Sequence, residues 1–134
     1  MMMRPHARRM RAIVAALTAM AATCTFAASL GGQVQGGGAP IANSIVTLWA
    51  ASAGAPKELA QARTGADGRF TMQLPNARGA ISLYLVAQRG QHAANKGGGD
   101  NSRIALMTVL GSKPPAKVTL NEMTTVASVW THAQ

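Results

Sequence analysis

Cysteine is all but absent: the 134-residue chain holds one, Cys24. A lone thiol makes neither an internal disulfide nor a thiolate metal site. Acid is scarce as well, with 4 Asp+Glu against 13 Lys+Arg and a formal charge of +9. Aromatics make up 4%, so a core must come from Val, Leu, Ile, Met and Ala. No apolar run reaches the roughly 20 residues that span a bilayer, and no Asn-x-Ser/Thr acceptor for N-glycans occurs. The length suits one domain and excludes a TIM barrel, a kinase or a Rossmann unit with a second domain. What is present is 48% hydrophobic and 13% charged, the balance of a folding chain rather than of a solvated tail.

The first residues form a targeting pattern. Arg4, Arg8, Arg9 and Arg11 precede an apolar run, Ala12 to Ala22, and then Thr25-Phe26-Ala27-Ala28. A basic region, an apolar region too short to span and a small-residue cleavage site are the marks of an export signal, here 1–27 with cleavage after Ala27. An uncleaved anchor and a mitochondrial-type presequence are the alternatives. Cys24 as the acylated first residue of a lipoprotein is disfavoured, because Thr23 fits badly where Gly or Ala is wanted. Export places the protein in the periplasm, at the cell surface or outside the cell, with membrane contact only through the signal. Cleavage removes four arginines and no acid, leaving nine basic and four acidic residues, or +5. The remaining bases are scattered singly, without the clustered stripe that nucleic acid requires, so no nucleic-acid partner is expected.

From residue 28 the chain alternates short apolar segments with Gly-rich punctuation, which argues for an all-β sandwich or barrel. Expected strands are Leu30 to Gln35, Asn43 to Ala51, Leu59 to Arg63, Arg69 to Leu74, Ala80 to Gln88, Ile104 to Leu110 and Lys117 to Leu120, about seven in all, the usual size of a two-sheet sandwich. Turns are expected over 36–40 and 75–79. In Arg69 to Leu74, Phe70, Met72 and Leu74 alternate with polar residues, so one face points inward. Asp67-Gly68 before it is a hairpin signal: Asp bonds the local backbone and Gly takes positive φ cheaply. Residues 89–103 read as a polar loop. In the last stretch Val126, Val129, Trp130 and Ala133 recur with helical spacing and Thr124 reads as the N-cap. A last strand is the alternative, since Thr and Val are β-branched. The sandwich is assigned to 28–122 and a C-terminal extension to 123–134, and the chain stops at Gln134 without a Gly or Pro stop signal, which leaves room for continuation.

Gly32-Gln33-Val34, then Pro40 to Leu48, then Thr64-Gly65-Ala66-Asp67-Gly68-Arg69-Phe70 and finally Leu83 to Ala87 resemble the successive motifs of the carboxypeptidase-regulatory-like, transthyretin-like β-sandwich family. The likeness covers about half the chain after residue 27. It implies an immunoglobulin-like two-sheet fold in which Asp67 and Gly68 turn the chain and Phe70 anchors the next strand in the core. Members are usually non-catalytic modules of exported proteins, and some such sandwiches bind carbohydrate. One scaffold carries many functions, so the motifs speak for a fold.

The residues for chemistry are few. His92 and His132 are isolated and read as ordinary solvated side chains, short of the three or four ligands of a zinc site. Ser102, His92 and Asp100 lack a nucleophile elbow. Glu58, Asp67, Asp100 and Glu122 form no recognisable pair for glycoside hydrolysis. Gly97-Gly98-Gly99-Asp100-Asn101-Ser102 matches neither a calcium nor a phosphate loop and reads as a mobile surface loop. No catalytic, metal or cofactor site is therefore expected, and no enzyme. Trp49 and Tyr84 lie opposite the aliphatic rows of their strands and point outward if those rows form the core. They could then dock a glycan or another exported protein. The favoured expectation is that the C-terminal stripe folds back over one of them.

Overall fold

The computed structural model describes residues 28–76, 80 and 82–133; the signal expected over 1–27 and part of the 75–79 turn lie outside them. Within the described residues are β1 (Ser29–Gly36), β2 (Ala39–Ala42), β3 (Ile45–Ala51), β4 (Lys57–Arg63), β5 (Arg69–Gln73), β6 (Ser82–Gln88), β7 (Gln91–His92), β8 (Ala105–Gly111), β9 (Lys117–Leu120) and α1 (Glu122–His132). They form a two-sheet sandwich. One sheet runs β5-β1-β2-β7, with β9 also paired to β1, and the other runs β4-β3-β6-β8. All pairings are antiparallel except β1 with β9, which is parallel.

The alternation read from the sequence decides which side chains meet between the sheets. Leu30, Val34, Ile41, Phe70, Met72 and Leu120 come from one sheet. Val46, Leu48, Ala50, Leu83, Leu85, Ala87 and Leu106 come from the other, and all are buried. Phe70 is the sole aromatic among them, and its place in the core is set by Gly32. The two residues are register partners across β1 and β5. A Cβ on Gly32 would lie 2.7 Å from the Phe70 ring and 2.6 Å from the Val118 carbonyl oxygen, so only glycine lets the ring lie over β1.

Four expectations change. The turn over 36–40 is tighter: Gly37 and Gly38 both have positive φ, +55° and +78°, as a two-residue type I′ hairpin requires. Pro40 belongs to a short extra strand, β2, whose pairing with β1 covers Gln35 and Gly36 only. Second, Asp67-Gly68 turns the chain but makes no hairpin. β4 pairs with β3 and β5 with β1, in opposite sheets, so this turn is a crossing. Gly68 has φ +73°, its carbonyl accepts the Val34 N–H at 2.8 Å, and the Asp67 carboxylate accepts the Arg69 N–H at 3.0 Å. Third, the stretch 89–103 contains β7, paired to β2 through Ile41 and His92, and Asp100 anchors it. The Asp100 carboxylate accepts the Gly90 N–H at 2.7 Å and meets the Arg89 guanidinium at 2.6 Å, which holds Arg89 at φ +63°.

The fourth change concerns the C-terminal helix. Its N-cap is Asn121, not Thr124; Thr124 is N3, and the two form a reciprocal capping box at 2.9 and 3.0 Å. The helix does not dock through its apolar stripe. Thr125 Oγ1 accepts the Met107 N–H at 3.0 Å and Ser128 Oγ the Val109 N–H at 3.1 Å, while Thr124 Oγ1 donates to the Met107 carbonyl at 3.0 Å. These are groups of the β8 edge that no neighbouring strand pairs. Hydroxyls at helical spacing thus replace a missing strand and close an edge that would otherwise invite another chain.

Candidate functional site

Trp49 and Tyr84 lie where the alternation places them, on the face of the four-stranded sheet turned away from the core. They are register partners on β3 and β6. Their ring centroids are 6.5 Å apart and the planes 13° from parallel, and both residues are half-buried. The register extends this row to Glu58 on β4 and Val109 on β8, and the next row is Gln61, Thr47, Val86 and Met107. An uncharged centre is therefore bordered along β4 by polar and charged side chains. Aromatic rings so placed offer an apolar surface with polar groups at the margin, the usual make-up of a recognition patch. The expected cover is missing: Val126, Val129 and Trp130 of the C-terminal stripe are among the exposed large hydrophobics. They cannot shield the pair, because the helix is turned the other way round.

The polar residues singled out in the sequence hold main chain. His92 is half-buried on β7, not solvated in a loop. Its Nε2 meets the Gly36 carbonyl and its Nδ1 accepts the Ala94 N–H at 3.1 Å, which selects the Nε2–H tautomer. With both ring nitrogens so engaged, and the Asp100 oxygens on Gly90 and Arg89, no Ser102–His92–Asp100 relay exists. Glu122 accepts the Gly37 N–H at 2.6 Å. Hydrogen bonds from its own backbone N–H and from Gly37 hold its carboxyl below the usual carboxylate range. The Gly90 N–H and then Arg89 do the same for Asp100. Among the described residues no three His, Cys, Asp or Glu converge as a metal site would need.

Of these, His92 and Glu122 line a shallow cavity of about 370 Å³ at one end of the sandwich. Ile41, Ile104 and Leu106 supply its apolar lining, and His92, Arg103 and Glu122 its polar one. The sequence offered no sign of this cluster, since His92 reaches back 56 residues to Gly36 and Glu122 85 residues to Gly37. Asp67 accepts the Arg69 N–H in the crossing turn, Gly68 takes its positive φ, and Phe70 is buried in the core.

No protein-family model matches the chain, and neither does any curated protein. The architecture alone defines the class: a two-sheet β-sandwich with one short C-terminal helix, compatible with an immunoglobulin-like or transthyretin-like domain.

Proposed function

We propose that the chain is an exported recognition module of carboxypeptidase-regulatory-like or transthyretin-like kind, with no catalytic chemistry of its own. The observation that carries this reading is the Trp49–Tyr84 pair, stacked and half-exposed on the outer face of the four-stranded sheet, while Val126, Val129 and Trp130 of the C-terminal stripe stay exposed. The family resemblance is supported by the work its residues do. Gly32 makes room for Phe70, Gly68 takes the positive φ of the crossing, and Phe70 fills the core. The non-catalytic reading is supported by His92, Asp67, Asp100 and Glu122, each of which holds a backbone amide. Export is supported by the order of charge and apolarity in residues 1–27.

Among recognition partners a glycan is favoured by one feature. The stacked Trp49 and Tyr84 rings on neighbouring strands offer a half-exposed aromatic surface against which the apolar face of a sugar ring can pack. The test is a panel of soluble glycans titrated into the exported chain carrying Trp130→Phe, so that Trp49 alone reports. A saturable change in emission, weakened at least about tenfold by Tyr84→Ala, is the expected outcome; each tenfold corresponds to about 1.4 kcal/mol of binding. An unchanged emission with every glycan, and a Trp49 shielded from soluble quencher, would remove the glycan reading and direct the search to protein partners.

A further inference from the structure

The large hydrophobic side chains left exposed among the described residues all belong to α1: Met123, Val126, Val129 and Trp130, at 76, 67, 57 and 71% exposure. At 100° per residue, Met123, Val126 and Trp130 lie opposite the Thr124, Thr125 and Ser128 face that docks on β8. The helix is therefore held to its own fold by hydroxyls and presents its apolar stripe outward, the reverse of the usual surface helix.

We propose that this stripe is an interface between two copies of the chain, formed by antiparallel packing of α1 on α1. Three observations select a second copy. The stripe pairs with itself: about a two-fold axis between Val126 and Ala127, Met123 of one copy meets Trp130 of the other, a favourable sulfur–aromatic contact, and the helix dipoles run opposed. The stripe carries no charge, so like charges are not brought together at its centre. Covering its four side chains, 57–76% exposed, would remove roughly 400–700 Å² per copy, taking about 150–250 Å² for a fully exposed large side chain. That is short of the ~800 Å² per partner of a standard interface and fits a weak, reversible dimer. A lipid surface is disfavoured because interfacial helices bear Lys or Arg on the polar face. The polar face of α1 has neither and is already bonded to β8.

Sedimentation velocity of the exported chain from about 5 μM to about 1 mM should show a monomer–dimer equilibrium with half-association between roughly 10 and 500 μM, the range of a small interface. Added salt should strengthen it, because each copy has a net positive charge. Val126→Glu should weaken association at least about tenfold, with far-UV circular dichroism and melting unchanged, because Val126 is exposed in the single copy. The orientation is read from cysteine-free chains carrying Met123→Cys or Trp130→Cys: mixed, they should cross-link to each other faster than either does to itself. A wild-type chain that stays monomeric at about 1 mM overturns the proposal. So does equal dimerisation of Val126→Glu, faster cross-linking within each variant, or a chain that remains monomeric yet pellets with anionic phospholipid vesicles.

Discussion

The hydroxyl of Thr64 sits where the chain twice changes sheets. It donates to the Ile41 carbonyl at 2.7 Å and accepts the Ser44 N–H at 2.8 Å, while its main chain exchanges hydrogen bonds with Asn43 and Ser44. One buried side chain thus ties the step from β2 to β3 to the step from β4 to β5. Thr64→Val keeps the shape and removes both bonds, leaving a buried donor and a buried acceptor unpaired. The expected loss is about 1–3 kcal/mol in urea unfolding, whereas Thr64→Ser, which keeps the hydroxyl, should lose under about 1 kcal/mol. In the sequence Thr64 stands only as the first residue of the Thr64-to-Phe70 motif, because nothing in local spacing reveals a partner on β2. Trp49 and Tyr84 were legible for the opposite reason. Their orientation follows from the two-residue period of a strand, which is local.

The elements show the same division. Strand faces were readable for β3, β5 and β6, where aliphatic and polar residues alternate, and Lys117–Leu120 was readable to its ends. The Asp67-Gly68 turn was visible as a turn, but turn chemistry does not say whether the next strand returns to the same sheet. The helix was visible in the spacing of Val126, Val129 and Trp130, yet its orientation was not. Spacing reveals which residues share a face, and the assumption that an apolar face points inward fails where unpaired strand edges compete for hydroxyls. Ser128→Ala tests this account. It frees the Val109 N–H and should cost about 1 kcal/mol, with amide exchange at Val109 accelerated and core amides little changed. Thr131→Ala is the control: that hydroxyl bonds only the Ala127 carbonyl of its own helix, so its effect should stay within about 0.5 kcal/mol.

One end of the described fold is knitted by hydrogen bonds to His92, Asp100 and Glu122. Asp100 fixes Arg89 and Gly90, Glu122 fixes the β1–β2 turn, and His92 fixes the same turn from β7. Both carboxyls titrate lower in the fold than in a free chain. Their contribution is therefore complete above the ordinary carboxylate range and declines as pH falls through their lowered values. Acidification below about pH 4 should accelerate amide exchange in residues 90–104 and around Gly37 before it reaches β3 and β6. Exchange that rises uniformly along the chain would contradict this polarity. The sheet that contains this end also imposes an order of assembly. β1 begins the described fold, yet over Gly31 to Gln33 its two neighbours are β5, from mid-chain, and β9, the last strand. A growing chain thus holds the central strand of that sheet unpaired on one side until Lys117–Leu120 has been made. That sheet is therefore completed only by a pairing between segments more than eighty residues apart, Gly31 with Lys117, a long-range closure that slows folding.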